Sequence, residues 1–110
     1  MISFLKMESS KKTVNKFGLK PELIDEIINI VKENKVEKLI IYGSRARGDY
    51  KEKSDIDLAF SGGDASNFIL EVGEDTSTLL LFDIVDLNRP VQEELIESIN
   101  KEGIVIYEKV

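Results

Sequence analysis

The stretch Lys38-Leu39-Ile40-Ile41-Tyr42-Gly43-Ser44-Arg45-Ala46-Arg47-Gly48-Asp49, followed by Ser54-Asp55-Ile56-Asp57-Leu58-Ala59-Phe60, decides how this chain is read. Its first five residues are β-favouring and stop at a glycine, which predicts a short buried strand. From Ser44 to Ser54 the sequence is polar and charged, with Gly48 and Asp49 as turn formers. From Ser54 to Phe60 it alternates. Asp55, Asp57 and Ala59 share one face of a second strand, and Ile56, Leu58 and Phe60 share the other.

Two carboxylates at i and i+2 on a strand stand about 6.5–7 Å apart on one face. Left alone, they repel and raise each other's pKa. A divalent cation between them removes that penalty, and oxygen donors suit Mg²⁺ or Mn²⁺ rather than zinc. An Asp-x-Asp alone reads first as a solvent-facing strand side. What precedes it narrows the choice. A strand that feeds Gly43-Ser44 offers backbone N–H groups and a hydroxyl to a phosphate. Arg45 and Arg47 are expected as charged, multidentate phosphate donors, and Gly43 lets the backbone approach a ligand closely.

Working outward, Pro21 sits where a first-turn proline belongs. Leu23, Ile24, Ile27, Ile28 and Val31 then recur at helical spacing, which predicts a helix over Pro21 to Glu33 ending near Asn34. Beyond the second strand, Gly62-Gly63-Asp64 breaks the chain, and Ala65, Phe68, Ile69 and Val72 fit a helical stripe. Leu79 to Leu87 reads as a strand interrupted by Asp83 and Asp86. Pro90 is expected to open a last helix, with Val91, Leu95, Ile96 and Ile99 inward and Gly103 as its end. Ile104 to Tyr107 reads as a closing strand. The order predicts one α+β (α/β) domain, a small mixed sheet with helices packed on it. Residues 1–16, with Lys6, Lys11, Lys12 and Lys16, read as a mobile basic N-terminal arm. Residues 17–110 read as the folded domain.

Composition removes whole classes of chemistry. Among 110 residues there is no cysteine and no histidine. Disulfides, thiolate or imidazole metal sites and Ser-His-Asp catalysis are therefore excluded. The formal net charge of −6 disfavours extended nucleic-acid binding. No apolar run approaches the roughly 20 residues of a membrane span, and no signal peptide is read, so a cytoplasmic protein is expected.

Gly43-Ser44, ten residues, then Asp55-x-Asp57 resembles the nucleotidyltransferase superfamily that includes DNA polymerase beta. The fuller string Tyr42 to Asp49 with Ser54 to Leu58 is similar to its minimal nucleotidyltransferases, the antitoxins of HEPN/MNT toxin–antitoxin modules. The resemblance covers Leu39 through about Tyr107. It implies a polymerase beta-like fold and a third metal-binding carboxylate on a neighbouring strand. Asp83 is that candidate, and Asp86, three residues on, reads as a strand-end residue facing the other way. It further implies two Mg²⁺ or Mn²⁺ ions held by Asp55, Asp57 and Asp83. ATP would be the substrate, bound by Gly43, Ser44, Arg45 and Arg47. The implied reaction transfers AMP to a tyrosine of a partner HEPN-domain toxin. Two other readings stand beside it: a binding module that neutralises its partner by contact, and an enzyme acting on a small hydroxylated molecule.

Overall fold

A computed structural model describes residues 17–109; the basic arm expected over residues 1–16 lies outside the described residues. The elements are α1 (Pro21–Glu33), β1 (Lys38–Tyr42), α2 (Ser44–Arg47), β2 (Ile56–Ser61), α3 (Ala65–Asp75), β3 (Phe82–Asp86), α4 (Glu93–Glu102) and β4 (Ile104–Glu108).

Helix α1 forms where its pattern predicts, with Pro21 in the first turn, Glu22 on the positive end of the helix dipole and Lys32 on the negative end. Leu23, Ile27, Ile30 and Val31 are its buried stripe. Asn34 ends it. The Asn34 amide donates to Ile30 O at 2.9 Å and to Glu71 Oε1 at 2.7 Å. The Asn34 side-chain oxygen accepts from Asn67 Nδ2 at 2.6 Å. One buried amide, satisfied on both ends, thus ties α1 to α3.

The four strands form one sheet in the order β3-β2-β1-β4. β1 is antiparallel to β2 and β4, while β2 and β3 are parallel, with α3 in the connection between them. Alternation along β1 and β2 divides the interior in two. Leu39, Ile41, Ile56, Leu58 and Phe60 pack with Leu23, Ile27 and Val31 of α1 and Phe68 and Val72 of α3. The rings of Phe60 and Phe68 lie 4.8 Å apart at 54°. Fully burying side chains of this size contributes about 1.5–3 kcal/mol each. The other face is thinner. Ile40, Tyr42 and Ala59 meet Ile99 and Leu95 of α4 and Val85 of β3.

Three boundaries differ from the sequence expectation. The loop after β1 begins with a helical turn, α2. The third strand starts at Phe82 rather than Leu79. The last helix starts at Glu93, not Pro90, with Glu93 and Glu94 in its first turn. Pro90 instead follows a turn closed by Arg89 N donating to Asp86 O at 3.3 Å. Gly103 does end α4, but with φ −68 and ψ 144, an extended conformation. A side chain there would run into Ile99 O and the Ile40 side chain, so space rather than handedness favours glycine.

Candidate active site

Strand register builds the centre of the site. Tyr42 of β1 is opposite Asp57 of β2, and Asp57 is opposite Asp83 of β3. Residues opposite one another share a sheet face, so the three side chains stand in a row across three strands. The row lies on the thinner face, at the end of the sheet where β1 stops and α4 also ends. Asp55 precedes the first residue of β2 and lines a cleft of about 340 Å³ with Lys53, Leu79, Leu80 and Leu81.

Gly43 gives the row its room. Its φ is +74, where a side chain is strained, and a Cβ there would collide with the Asp57 carboxylate. The chain turns at once into α2, with Ala46 N and Arg47 N each donating to Gly43 O at 3.0 Å. Gly48, at φ +99, closes this turn through its N–H to Ser44 O at 2.8 Å. Ser44 is the first residue of α2, so the Gly43–Ser44 backbone passes beside Asp57.

The two arginines of the loop have different fates. Arg47 is half exposed on the rim, where its Nε donates to Asp49 Oδ2 at 3.2 Å and its Nη1 to both carboxylate oxygens of Glu102, at 3.1 and 3.2 Å. Arg45 corrects the sequence expectation. It is 1% exposed, and its guanidinium is taken up by the carbonyls of Phe17, Gly18, Lys51, Glu52 and Ser54 at 2.9–3.5 Å. Its charged end also sits 5.0 Å from the centre of the Tyr50 ring. Burial pushes its pKa down. Arg45 is therefore the clamp that fastens the Asp49–Ser54 loop to the segment before α1, not a phosphate donor.

Electrostatics mark the row as short of positive charge. The Asp57 carboxyl is pushed above its ordinary value, first by burial and then by Asp83 and Asp55; Arg47 opposes this and Glu102 adds to it. Tyr42 is pushed up to about 12, by burial first and by Asp83 and Asp57 after it, so its phenol stays protonated at neutral pH. Among the described residues no three Asp or Glu side chains converge as a ready-made metal cage. The donors nevertheless fit Mg²⁺, which binds through one or two carboxylates plus phosphate oxygens and water rather than an all-protein shell. A cation would also counter the burial and the repulsion from Asp83 and Asp55 that hold Asp57 high.

Asp86 lies apart from the row. Its Oδ1 accepts from Asn88 N at 2.9 Å and Asn88 Nδ2 at 2.8 Å, and its Oδ2 is 3.6 Å from Arg89 Nε. It shapes the turn that leaves β3. Two neighbours of the site were not singled out from sequence. Tyr42 was legible only as the end of a strand, although its place before Gly43 fixes it beside Asp57. Glu102 lies 55 residues from Arg47, and no local signal marks it.

This arrangement of a glycine-serine turn after a strand and acids on two adjacent strands places the chain. Residues 25–110 match the family described as Polymerase beta, Nucleotidyltransferase. The chain belongs to that family and is a nucleotidyltransferase. Over 81 residues it is 36% identical to a Methanocaldococcus jannaschii protein named "Putative protein adenylyltransferase", covering 71% of this chain and 76% of that one. Two solved structures share the fold. A toxin–antitoxin crystallised with AMP-PNP is 22% identical with a TM-score of 0.58, over 78% of this chain and 73% of that one. A mutant of the toxin–antitoxin MntA-HpeT is 20% identical with a TM-score of 0.62, over the same shares of each chain.

Proposed function

We propose that this chain transfers AMP from ATP to a hydroxyl of a partner protein, acting in the cytoplasm as the antitoxin of a two-component module. The acceptor in this reading is a tyrosine of a HEPN-domain toxin. The observation that carries the proposal is the register that sets Asp57 beside Asp83, next to the Gly43–Ser44 turn. The adenylyltransferase name of the archaeal relative favours AMP as the group transferred. The toxin–antitoxin relatives favour a protein acceptor.

Asp55, Asp57 and Asp83 are the residues that would hold Mg²⁺ or Mn²⁺, two ions in the full site. Such ions supply charge neutralisation at the phosphates and activation of the acceptor oxygen. The chain's own groups do the rest. Gly43 and Ser44 present backbone N–H groups and a hydroxyl to the β- and γ-phosphates. Arg47 faces the charge that develops on the leaving pyrophosphate. Asp83 lies at the open edge of the row and accepts the proton of the incoming hydroxyl. The oxygen of that hydroxyl bonds to the α-phosphorus as the bond to the bridging oxygen of pyrophosphate breaks.

The test is intact mass spectrometry of a candidate HEPN-domain toxin, after incubation with substoichiometric protein, ATP and Mg²⁺. The proposal expects a gain of about 329 Da, one phosphodiester-linked AMP with its negative charge, on most toxin molecules. The gain should vanish with Asp55→Asn/Asp57→Asn. Neutralisation at one-to-one ratio without a mass change, undiminished in that double variant, would identify a binding antitoxin instead.

A further inference from the structure

We infer that Glu102, at the last position of α4, is a positioning residue for nucleotide binding, acting through Arg47. The inference rests on the proposed role of Arg47 at the triphosphate. Glu102 and Arg47 lie 55 residues apart in sequence, and the fold brings them together where β1 and α4 both end. Arg47 Nη1 donates to both carboxylate oxygens, at 3.1 and 3.2 Å, and Nε is taken by Asp49 at 3.2 Å. Glu102 is the less exposed partner, 23% against 45% for Arg47. The anchor is thus the better-fixed side of the pair. It is part of a ten-residue helix whose Ile99 is buried against the sheet.

A long side chain on a four-residue turn samples many rotamers, and binding a phosphate would have to order it. Two carboxylates on two of its nitrogens fix the plane of the guanidinium in advance. An arginine has five donor hydrogens, so Nη2 keeps donors for a ligand. The same anchor carries a negative charge that opposes a triphosphate. Hydrogen bonding and charge therefore pull in opposite directions, and variants separate them. Glu102→Gln keeps a carbonyl acceptor and loses the charge, whereas Glu102→Ala loses both.

The experiment is calorimetric titration of the full chain with AMP-PNP and Mg²⁺. Wild type is compared with Glu102→Ala, Glu102→Gln, Arg47→Gln and the Arg47→Gln/Glu102→Ala double variant. Glu102→Ala is expected to weaken binding by about three- to tenfold, with Glu102→Gln within about twofold of wild type. The loss from Glu102→Ala should disappear in the Arg47→Gln background, because the anchor then holds nothing. A role in folding alone would lower stability without this non-additivity in affinity. Unchanged or tighter binding by Glu102→Ala, with Arg47→Gln weakened, overturns the inference alone and makes Glu102 a competitor for Arg47. Wild-type binding by Arg47→Gln overturns the proposed role of Arg47 and this inference with it.

Discussion

The carboxylate of Asp57 occupies the space into which any side chain at Gly43 would project. The turn that would cradle phosphate and the acid that would bind metal are therefore fitted to each other through a missing methyl group. Gly43→Ala meets both a φ of +74 and the Asp57 oxygen, so either the turn or the acid must move. It is expected to destabilise the domain by about 1–3 kcal/mol and to abolish Mg²⁺-dependent AMP-PNP binding. Thermal unfolding with and without the nucleotide checks both. Retained binding would show that the turn and the acid are independent.

Arg45 predicts a large structural effect. Arg45→Ala removes the donor that five backbone carbonyls share and leaves a cavity among them. A loss of roughly 2–4 kcal/mol is expected, read as a lower denaturant midpoint. Arg45→Lys should recover little, since three donors on one nitrogen cannot reach acceptors spread around a planar fork. Equal stability of Arg45→Lys and wild type would contradict the clamp.

Asp57 gives a pH-dependent prediction. Its folded pKa is raised above the ordinary value. The group thus favours the fold while protonated and loses that contribution as pH rises through its folded pKa. Without metal, Asp57→Asn should be the more stable protein at pH 7, and the gap should close as pH falls through the folded pKa of Asp57. Mg²⁺ should stabilise wild type and not the variant. A variant less stable at pH 7 would place Asp57 in a favourable interaction instead.

Asp83 and Asp86 separate by function. Asp83→Asn should abolish AMP transfer with the fold intact, since this side chain faces the row. Asp86→Asn should keep most activity and cost only a modest loss of turn stability, about 1 kcal/mol, because its oxygens serve Asn88. Transfer assays alongside circular dichroism of both variants decide this. The opposite pattern would put the strand's inward face on the wrong side.

Tyr42 should ionise late. Followed by ultraviolet absorbance, its phenol is expected to titrate near 12, and Tyr42→Phe should remove that step. Because the folded pKa lies above the ordinary 10.0, the fold loses stability as pH climbs between these two values.

Much of this was legible in advance because the signals are local. Pro21 and the Leu23–Val31 spacing set α1 to the residue, and the alternation from Ile56 to Phe60 put Asp57 and Ala59 on one face of β2, while Asp55 falls just before the strand. The family resemblance pointed to Asp83, and period two put Asp86 on the opposite face; the register sets Asp83 beside Asp57 and Asp86 beside Phe60. Arg45 was not legible. An arginine after a glycine-serine turn looks the same whether it binds phosphate or carbonyls, and the carbonyls of Phe17 and Gly18 lie 28 and 27 residues away. Glu102 was hidden for the same reason, since only the docking of α4 brings it to Arg47. Pro90 misled because a proline suits a tight turn as well as a helical first turn.

The pairing of β2 with β3 also fixes when the site exists. Asp57 and Asp83 meet only after the chain has gone out through α3 and returned as a parallel neighbour. Long-range parallel pairings form slowly, after local helices and nearer contacts. During synthesis the first acids emerge without their partner, and ribosome-bound fragments ending before Phe82 hold only the Asp55–Asp57 half. The proposed binding of metal and nucleotide would thus be a late event in the life of each new molecule. In a refolding experiment it should trail the return of helical signal.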